Sequence, residues 1–195
     1  ASSNIAWIES EGYVFKVRAV DLTGTPSAEK TITFNYDISA PQSLTTSPSA
    51  SAAPAARASA ITGTVEDQTS TGTPSGLDSS GFRVAVKRQS DGNWWDGSTW
   101  TVVESSMSIL VGSGLGVKTW SLSLSSTFYD LLGATDTFKV FAWGKDLSNN
   151  PFGSAHAESS TTVKLVFSYA SSTPTLTALS PVASTATNAV NSVVV

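Results

Sequence analysis

The sequence predicts an all-β fold, and two features of the chain point to it. Apolar and polar residues alternate with a period of two in several separate runs, which is the pattern of strands with one buried face. Each run ends in a cluster of Gly, Pro, Asp, Asn or Ser, and no stretch carries an apolar stripe at helical spacing. We therefore expect strands joined by turns and loops throughout the chain.

The alternating runs and their turns predict seven or eight strands in the central part of the chain. In order, the expected strands are 41–47, 59–66, 82–89, 93–96, 99–104, 117–124, 136–143 and 161–169. The first begins at Pro41. The second and third follow the alternation in AITGTVED and FRVAVKR, and the last three follow WSLSL, FKVFA and VKLVFSY.

The fourth and fifth strands form a hairpin that carries tryptophans. Two Asp-Gly pairs, at 91–92 and 96–97, bound its first strand. Asp-Gly favours the positive φ angles of tight turns, so the strands on either side are expected to pair. Trp95 and Trp100 flank the second turn and are expected to face each other across it.

Even strand spacing with hairpin turns is typical of an immunoglobulin-like β-sandwich. The chain has no cysteine, so the disulfide of antibody domains is absent. A module of about 130 residues buries roughly two thirds of the surface of its unfolded chain, which is enough for stability without a disulfide. In strand 136–143, Phe138, Val140 and Ala142 are expected to face the core.

The chain also contains an internal repeat. The segment FNYDISAP begins at Phe34, and FSYASSTP begins at Phe167, an offset of 133 residues (167 − 34). Tyr36 and Tyr169 keep the same offset. Paired aromatic residues and prolines in a chain rich in Ser and Ala are not a composition effect, so we expect two copies of one structural unit.

The repeat divides the chain into three expected parts. Residues 1–40 are the C-terminal strands of one immunoglobulin-like repeat, 41–170 a complete repeat, and 171–195 the first strands of the next. FKVRAVDLTG and FKVFAWGKDLSNN echo each other in agreement with this division. Each junction is short and led by a proline, which predicts a stiff connection. The chain start and end are expected to be cuts through repeats.

These motifs resemble the bacterial immunoglobulin-like repeats that occur in tandem in long secreted and cell-surface proteins. The resemblance is carried by ITGTVED, SDGNWWDGSTW, the pair FKVRAVDLTGTPS and FKVFAWGKDLSNN, and the proline-led junction. The departures are the long loop at 67–80, the GSGLG insert at 112–116 and the two added residues 144–145. The resemblance implies an extracellular or cell-surface location.

Composition excludes some partners. The net charge is −4, 13% of residues are charged, and Ser and Thr make up about 30% of the chain. Nucleic-acid binding requires clustered Lys and Arg, and no such cluster exists, so no nucleic-acid partner is expected. The longest apolar runs have strand length and contain polar residues, so no membrane insertion of this segment is expected.

No residue pattern predicts an enzyme, and no catalytic residue is proposed. His156 is the only histidine, it lies in an expected loop, and no G-x-S-x-G motif surrounds a serine. Neighbouring carboxylates such as Glu9 and Glu11 do not form a facing pair. The GSGLG insert is expected to be a flexible connection, since no helix follows it that would bind phosphate.

Calcium is the one cofactor left open. Glu66, Asp67 and Asp146 follow two strand ends that could meet at one pole of the sandwich, and hard cations favour such oxygen clusters. The alternative is that these aspartates cap turns. No Asp-rich loop with ligand spacing supports calcium, so the expectation is no cofactor.

Aromatic residues form the candidate contact site. Because side chains alternate along a strand, Phe141 and Trp143 are expected on the outer face. The residues that could contact a partner or a glycan are Trp94, Trp95, Trp100, Phe141 and Trp143. Three interpretations are open: a satellite cluster covered by the tryptophan hairpin, a contact with another chain or repeat, and a sugar-stacking platform.

Segment 47–60, SPSASAAPAARASA, is either a disordered or O-glycosylated linker or a defined connection between two strands. Its echo at 180–193 favours the defined connection.

The leading hypothesis is a structural extracellular repeat protein that forms a rod, filament, sheath or surface-layer component of a prokaryotic cell. Its expected partners are copies of itself or neighbouring repeats, and surface glycans are a further option. The alternative is a carbohydrate-binding or adhesive module of a larger secreted protein.

Overall fold

The computed structural model describes the chain from residue 6 to residue 170, apart from residues 10, 56, 69–71, 131–134 and 149–156; for residues 51–55 it describes the backbone alone. The described strands are β1 (Gly12–Val17), β2 (Lys30–Asn35), β3 (Gln42–Ser47), β4 (Ser51–Ala55), β5 (Ala60–Glu66), β6 (Arg83–Arg88), β7 (Trp94–Trp95), β8 (Trp100–Thr101), β9 (Met107–Ser108), β10 (Lys118–Ser123), β11 (Thr135–Trp143) and β12 (Val163–Ala170). A short 3₁₀ turn covers Ser126–Tyr129. Within the described ranges, no helix has the length and apolarity needed to cross a membrane. The predicted all-β fold is confirmed for the described residues, and the strands expected at 171–195 lie outside them.

The described strands form three sheets. β1 and β2 pair as an antiparallel hairpin. A three-stranded antiparallel sheet has the order β10-β5-β3. The largest sheet has the order β4-β12-β11-β6-β7-β8, with β9 paired to β6. Among the described strands, only β4 and β12 pair in parallel.

All eight expected strands are present. Seven differ from their expected bounds by no more than two residues, whereas β8 is shorter and ends at Thr101 rather than at residue 104. β4 and β9 were not expected as separate strands. β4 lies in segment 47–60 and pairs with β12, so this segment contains a defined strand rather than a disordered linker.

One hydrophobic core is built from the three-stranded sheet and the sheet that contains β11, which together are the larger sheets. Phe138, Val140 and Ala142 on β11 are fully buried, as the alternation predicts. The other buried members on the strands are Ile61, Val65, Trp120 and Leu122 from the three-stranded sheet and Val84, Val86, Trp95, Leu165 and Phe167 from the larger sheet. Residues of both sheets therefore share one core.

A glycine allows the closest packing in the three-stranded sheet. Gly63 on β5 pairs with Trp120 on β10, and the indole ring of Trp120 covers it. The Trp120 Nε1 atom donates a hydrogen bond of 3.1 Å to the carbonyl oxygen of Thr64. A Cβ atom at position 63 would lie 2.0 Å from the carbonyl oxygen of Leu44 and 2.4 Å from the Trp120 ring. Only glycine fits this position without a shift of the backbone.

A buried arginine anchors the tryptophan hairpin. The side chain of Arg88 donates two hydrogen bonds to the carboxylate of Asp91, at 3.1 and 2.6 Å, and one of 2.9 Å to the carbonyl oxygen of Asp130. Its guanidinium carbon lies 4.5 Å from the centre of the Trp100 ring. The Oδ2 atom of Asp136, which is also buried, lies 3.8 Å from the Nε atom of Arg88. This arginine therefore satisfies a fixed set of charged and polar partners inside the fold.

The β1–β2 hairpin has an aromatic face that is largely open to solvent. Trp7 packs on Tyr13 with ring centres 4.8 Å apart, and Phe15 packs on Phe34 at 5.7 Å. Phe15 is nevertheless 42% exposed, and Ile32 on the neighbouring strand is 61% exposed. Aromatic contacts alone therefore leave much of this face uncovered.

Candidate functional site

Two of the five candidate contact residues lie in the core. Trp95 is fully buried, and its ring packs against Trp100 at 5.3 Å and against Phe128 at 5.3 Å. The facing of Trp95 and Trp100 across the turn agrees with the prediction. Trp100 is half-buried and donates a hydrogen bond of 3.2 Å to the carbonyl oxygen of Phe128. Including Trp95 in a contact surface was wrong, because its side chain is fully buried. For the half-buried Trp100, a contact with a partner or a glycan stays a prediction.

The other three candidates lie on the opposite face of the sheet. Trp94 covers Phe141 with ring centres 5.4 Å apart, and the ammonium group of Lys87 lies 5.0 Å from the centre of the Trp94 ring. Phe141 is only 9% exposed, whereas Trp94 and Trp143 are half-buried. This arrangement favours the satellite cluster, in which the hairpin folds over Phe141. A contact with a partner or a glycan stays a prediction for Trp94 and Trp143.

A second candidate site is a cluster of three buried aspartates, Asp37, Asp67 and Asp146, which we call the aspartate cluster. One carboxylate oxygen from each lies within 4.8 Å of the others. Asp37 follows β2, Asp67 follows β5 and Asp146 follows β11. The cluster therefore joins the segment between β2 and β3 to the ends of two strands in different sheets.

Each aspartate also holds a loop through hydrogen bonds. The two oxygens of Asp37 accept the N–H of Ser39 at 3.0 Å and the N–H of Ser75 at 2.6 Å. Asp67 Oδ2 accepts the N–H of Gly76 at 2.6 Å. Asp67 thus holds the far end of the 67–80 loop, nine residues further on, rather than capping a local turn.

Asp146 caps the turn that follows β11. Its Oδ1 atom accepts the N–H of Ser148 at 2.9 Å and the hydroxyl of Ser148 at 2.6 Å. The same side chain is only 2% exposed. Turn capping and membership of the aspartate cluster thus occur together in one residue.

The electrostatics of the aspartate cluster are unfavourable. Asp67 is 3% exposed, and its second oxygen, Oδ1, is buried without a hydrogen-bond partner. Burial raises the pKa of Asp67 to about 6, and the charges of Asp37 and Asp146 act in the same direction against the hydrogen bond from Gly76. Close carboxylates with little water around them favour either a proton or a cation.

The aspartate cluster differs from the acidic site considered from the sequence. Asp67 and Asp146 do meet, but Glu66 is not a member, and its carboxylate accepts a hydrogen bond of 2.9 Å from Gln68 instead. Neighbours on a strand point in opposite directions, which separates Glu66 from Asp67. The third member is Asp37, which the sequence reasoning missed. Its signal was a carboxylate directly after a strand in a junction led by a proline.

The junction itself, residues 36–41, contacts both parts of the chain. The Ser39 hydroxyl donates a hydrogen bond to the carboxylate of Glu9, which precedes β1. On the other side, Asp37 accepts the N–H of Ser75. Pro41 is buried near Gly144, where an added Cβ would lie 3.2 Å from the proline Cβ.

The remaining sequence candidates are His156 and the GSGLG insert. His156 lies outside the described residues. The GSGLG insert at 112–116 leads into β10 rather than into a helix, as expected. It was expected to be a flexible connection, but Gly114 exchanges two backbone hydrogen bonds of 3.0 Å with Leu77. This part of the insert is therefore tied to the 67–80 loop.

The chain was compared with protein-family models, curated proteins and solved structures, and none of them matches. Function is therefore inferred from the junction, the internal repeat and the two candidate sites.

Proposed function

We propose that this chain belongs to a structural extracellular protein in which immunoglobulin-like sandwiches follow one another in tandem and form a rod, filament, sheath or surface-layer component of a prokaryotic cell. The observation that carries the proposal is the junction at 36–41, which is bonded on both sides. A bonded junction restricts the angle between successive modules, and a restricted angle gives a rod rather than a loose string.

Three contacts support a stiff junction. Ser39 bonds back to Glu9, and Asp37 bonds forward to Ser75. Pro41 is buried at the start of β3, and its ring fixes one backbone torsion. Few torsions are left free between the hairpin and the larger sheets.

The strand order supports an immunoglobulin-like sandwich for residues 41–170. The order β3-β5-β10 in one sheet and β12-β11-β6 in the other corresponds to the A-B-E and G-F-C strands of immunoglobulin domains. Both sheets contribute to one hydrophobic core. The extra β4 strand joins the G-like strand β12 at the sheet edge.

The β1–β2 hairpin supports the tandem arrangement because it resembles the β11–β12 hairpin. Phe15 and Phe34 pack at 5.7 Å, and their sequence counterparts Phe138 and Phe167 pack at 5.2 Å. The pairing register differs by two residues, since Phe138 pairs directly with Phe167 whereas Phe34 pairs with Tyr13. In β11–β12 these rings are buried in the hydrophobic core. The open aromatic face of β1–β2 is the face that the remaining strands of its own sandwich would cover.

The turns after the first strand of each hairpin match as well. Asp21 Oδ1 accepts the N–H of Thr23 at 2.9 Å and its hydroxyl at 2.7 Å. Asp146 makes the same pair of bonds with Ser148, at 2.9 and 2.6 Å. Asp21 and Asp146 thus cap equivalent turns through the residue two positions further on.

The stiffness of the junction can be measured by the distance between two spin labels. The chain lacks cysteine, so Thr33→Cys on β2 and Ser121→Cys on β10 provide two specific attachment points at exposed positions. We expect pulsed electron paramagnetic resonance to give a narrow distance distribution across the junction. A reference pair, Arg83→Cys with Ser121→Cys, reports the width inside the larger sheets alone.

A junction pair whose distribution is much broader than that of the reference pair would contradict a rigid rod. The contribution of the linker bonds is tested by Ser39→Ala, which removes the bond to Glu9 and should broaden the distribution. Ser49→Ala, at an exposed position outside the junction, is the matched control and should leave the distribution unchanged.

The second candidate function is a carbohydrate-binding or adhesive module. It is favoured by Trp94 and Trp143, which are half-buried on the outer face of the larger sheet. In this case the tryptophan fluorescence changes when a polysaccharide is added, and Trp94→Ala or Trp143→Ala removes the change. Fluorescence that is insensitive to a panel of cell-wall polysaccharides would leave the structural role alone.

A further inference from the structure

We propose that the aspartate cluster binds one Ca²⁺ ion. This ion fastens the junction at 36–41, which is the linker before β3, to the larger sheets. The binding site is independent of the rod, whereas its mechanical effect on successive modules rests on the function proposed above.

The distances in the aspartate cluster fit a calcium ion. Ca²⁺ binds six to eight oxygens at about 2.3–2.6 Å, so two oxygens on one ion lie no more than about 5 Å apart. One carboxylate oxygen from each of the three aspartates lies within 4.8 Å of the others. Calcium also tolerates irregular geometry, so water and further oxygens can complete its coordination.

The unpartnered oxygen of Asp67 is the observation that points to a ligand. Asp67 Oδ1 is buried without a hydrogen-bond donor, although Oδ2 of the same carboxylate is bonded to Gly76. A buried carboxylate oxygen with no partner is costly, and a cation removes that cost. Neither Asp37 nor Asp67 forms an ion pair with a described Lys or Arg.

One member of the aspartate cluster borders a surface pocket. Asp67 lines an open surface pocket together with Glu66 and Pro74. The donors in the aspartate cluster are all carboxylate oxygens, which suit calcium rather than metals that prefer nitrogen and sulfur ligands.

The position of Asp37 gives the ion a mechanical role. Asp37 lies in the linker, whereas Asp67 and Asp146 follow β5 and β11 of the larger sheets. An ion shared by all three adds a bond between linker and sheets that the hydrogen bond to Ser75 alone does not supply. In the repeat, Ala170 occupies the position equivalent to Asp37, so the junction after β12 lacks this third carboxylate.

Isothermal titration calorimetry of the whole chain with CaCl₂ at neutral pH, after removal of ions with a chelator, tests the proposal. We expect one ion per chain with a dissociation constant of about 10⁻³ M or lower, the upper end of the range for extracellular calcium modules. At a Ca²⁺ concentration near 100 times this constant, the melting temperature should rise by about 5–10 °C.

Isosteric variants identify the ligands. Asp37→Asn, Asp67→Asn and Asp146→Asn should each weaken Ca²⁺ binding at least tenfold, by analogy with the loss of about 10–100-fold seen when metal-site partners are removed. Asp96→Asn is the matched control, because Asp96 caps a turn through bonds to Ser98 and Thr99 outside the aspartate cluster. It should bind Ca²⁺ as the unmodified chain does.

Absence of both binding heat and a thermal shift would overturn the proposal, and so would binding that survives Asp37→Asn unchanged. If a shared proton neutralises the aspartate cluster instead, Asp67→Asn stabilises the calcium-free chain and Ca²⁺ has no effect. The spin-label distances separate the two proposals. A narrow distance distribution without calcium binding would rule out the calcium site alone. Calcium binding together with a broad distance distribution in saturating Ca²⁺ would rule out the rigid rod alone.

Discussion

The close packing of Trp120 on Gly63 gives a sharp test of the three-stranded sheet. In Gly63→Ala, the new methyl group would lie 2.0 Å from the carbonyl oxygen of Leu44 on β3 and 2.4 Å from the Trp120 ring on β10. The ring can rotate only by losing its hydrogen bond to the Thr64 carbonyl. The contact with Leu44 involves backbone, so it can be relieved only if β3 moves away from β5.

The expected cost follows from two opposing effects. Overpacking a well-packed site costs about 1–3 kcal/mol, and a backbone contact belongs at the upper end of that range. Against it, Gly→Ala removes conformational entropy from the unfolded chain and stabilises by about 0.4–1 kcal/mol. We therefore expect Gly63→Ala to lower the free energy of unfolding by about 2 kcal/mol.

Urea unfolding followed by tryptophan fluorescence measures this change as a lower midpoint with an unchanged slope. Gly112→Ala is the matched control, because its added Cβ meets only the flexible side chain of Lys118, at 3.1 Å. The control should stay within about 0.5 kcal/mol of the unmodified chain. Equal stability of the two variants would show that Gly63 is not pressed between β3 and β10.

Three further changes test the core and its charges by denaturant unfolding. Phe138→Ala empties a fully buried site and should cost about 3–5 kcal/mol; an unchanged stability would contradict the inward face of β11. Arg88→Met leaves the buried Asp136 and the hydrogen-bonded Asp91 without their cation. This change should lower the free energy of unfolding by about 3–5 kcal/mol. An unchanged free energy of unfolding would show that these carboxylates need no partner. The hydrogen bonds from Arg88 hold the pKa of Asp91 below its ordinary value of 3.8, so this carboxylate stabilises the fold above about pH 4 and the contribution is lost as the pH falls. The denaturant midpoint of Asp91→Asn should therefore fall less than that of the unmodified chain when the pH is lowered from about 5 to about 2.5. An equal fall of the two midpoints would argue against the ion pair.

Local patterns predicted most of the strands because the signals are themselves local. The alternation in FRVAVKR and FKVFA produced β6 and β11 within one residue of their expected bounds. The Asp-Gly pairs gave positive φ angles at Gly92 and Gly97, of 75° and 104°. A side chain's direction along a regular strand follows from its neighbours, so the burial of Phe138 could also be predicted.

The two-residue strands of the hairpin gave no such signal. Trp94 and Trp95 are adjacent, and a run this short does not show which ring faces the core. The structure decides it, because Trp95 meets Phe128 in the 3₁₀ turn and Trp94 meets Phe141 on the other face. The inclusion of Trp95 in the contact surface was wrong for this reason.

The sequence by itself determined the all-β class and the positions of most strands and turns, since each depends on residues close together in the chain. The echo of FNYDISAP in FSYASSTP, at an offset of 133 residues (167 − 34), stays a prediction of a structural repeat. The tertiary structure alone decided that Asp37 lies beside Asp67 and Asp146. These three carboxylates meet only because the start of the linker lies beside the ends of β5 and β11 in the fold. Such a meeting depends on how the sheets pack around their shared core, and no pattern within a single segment records it.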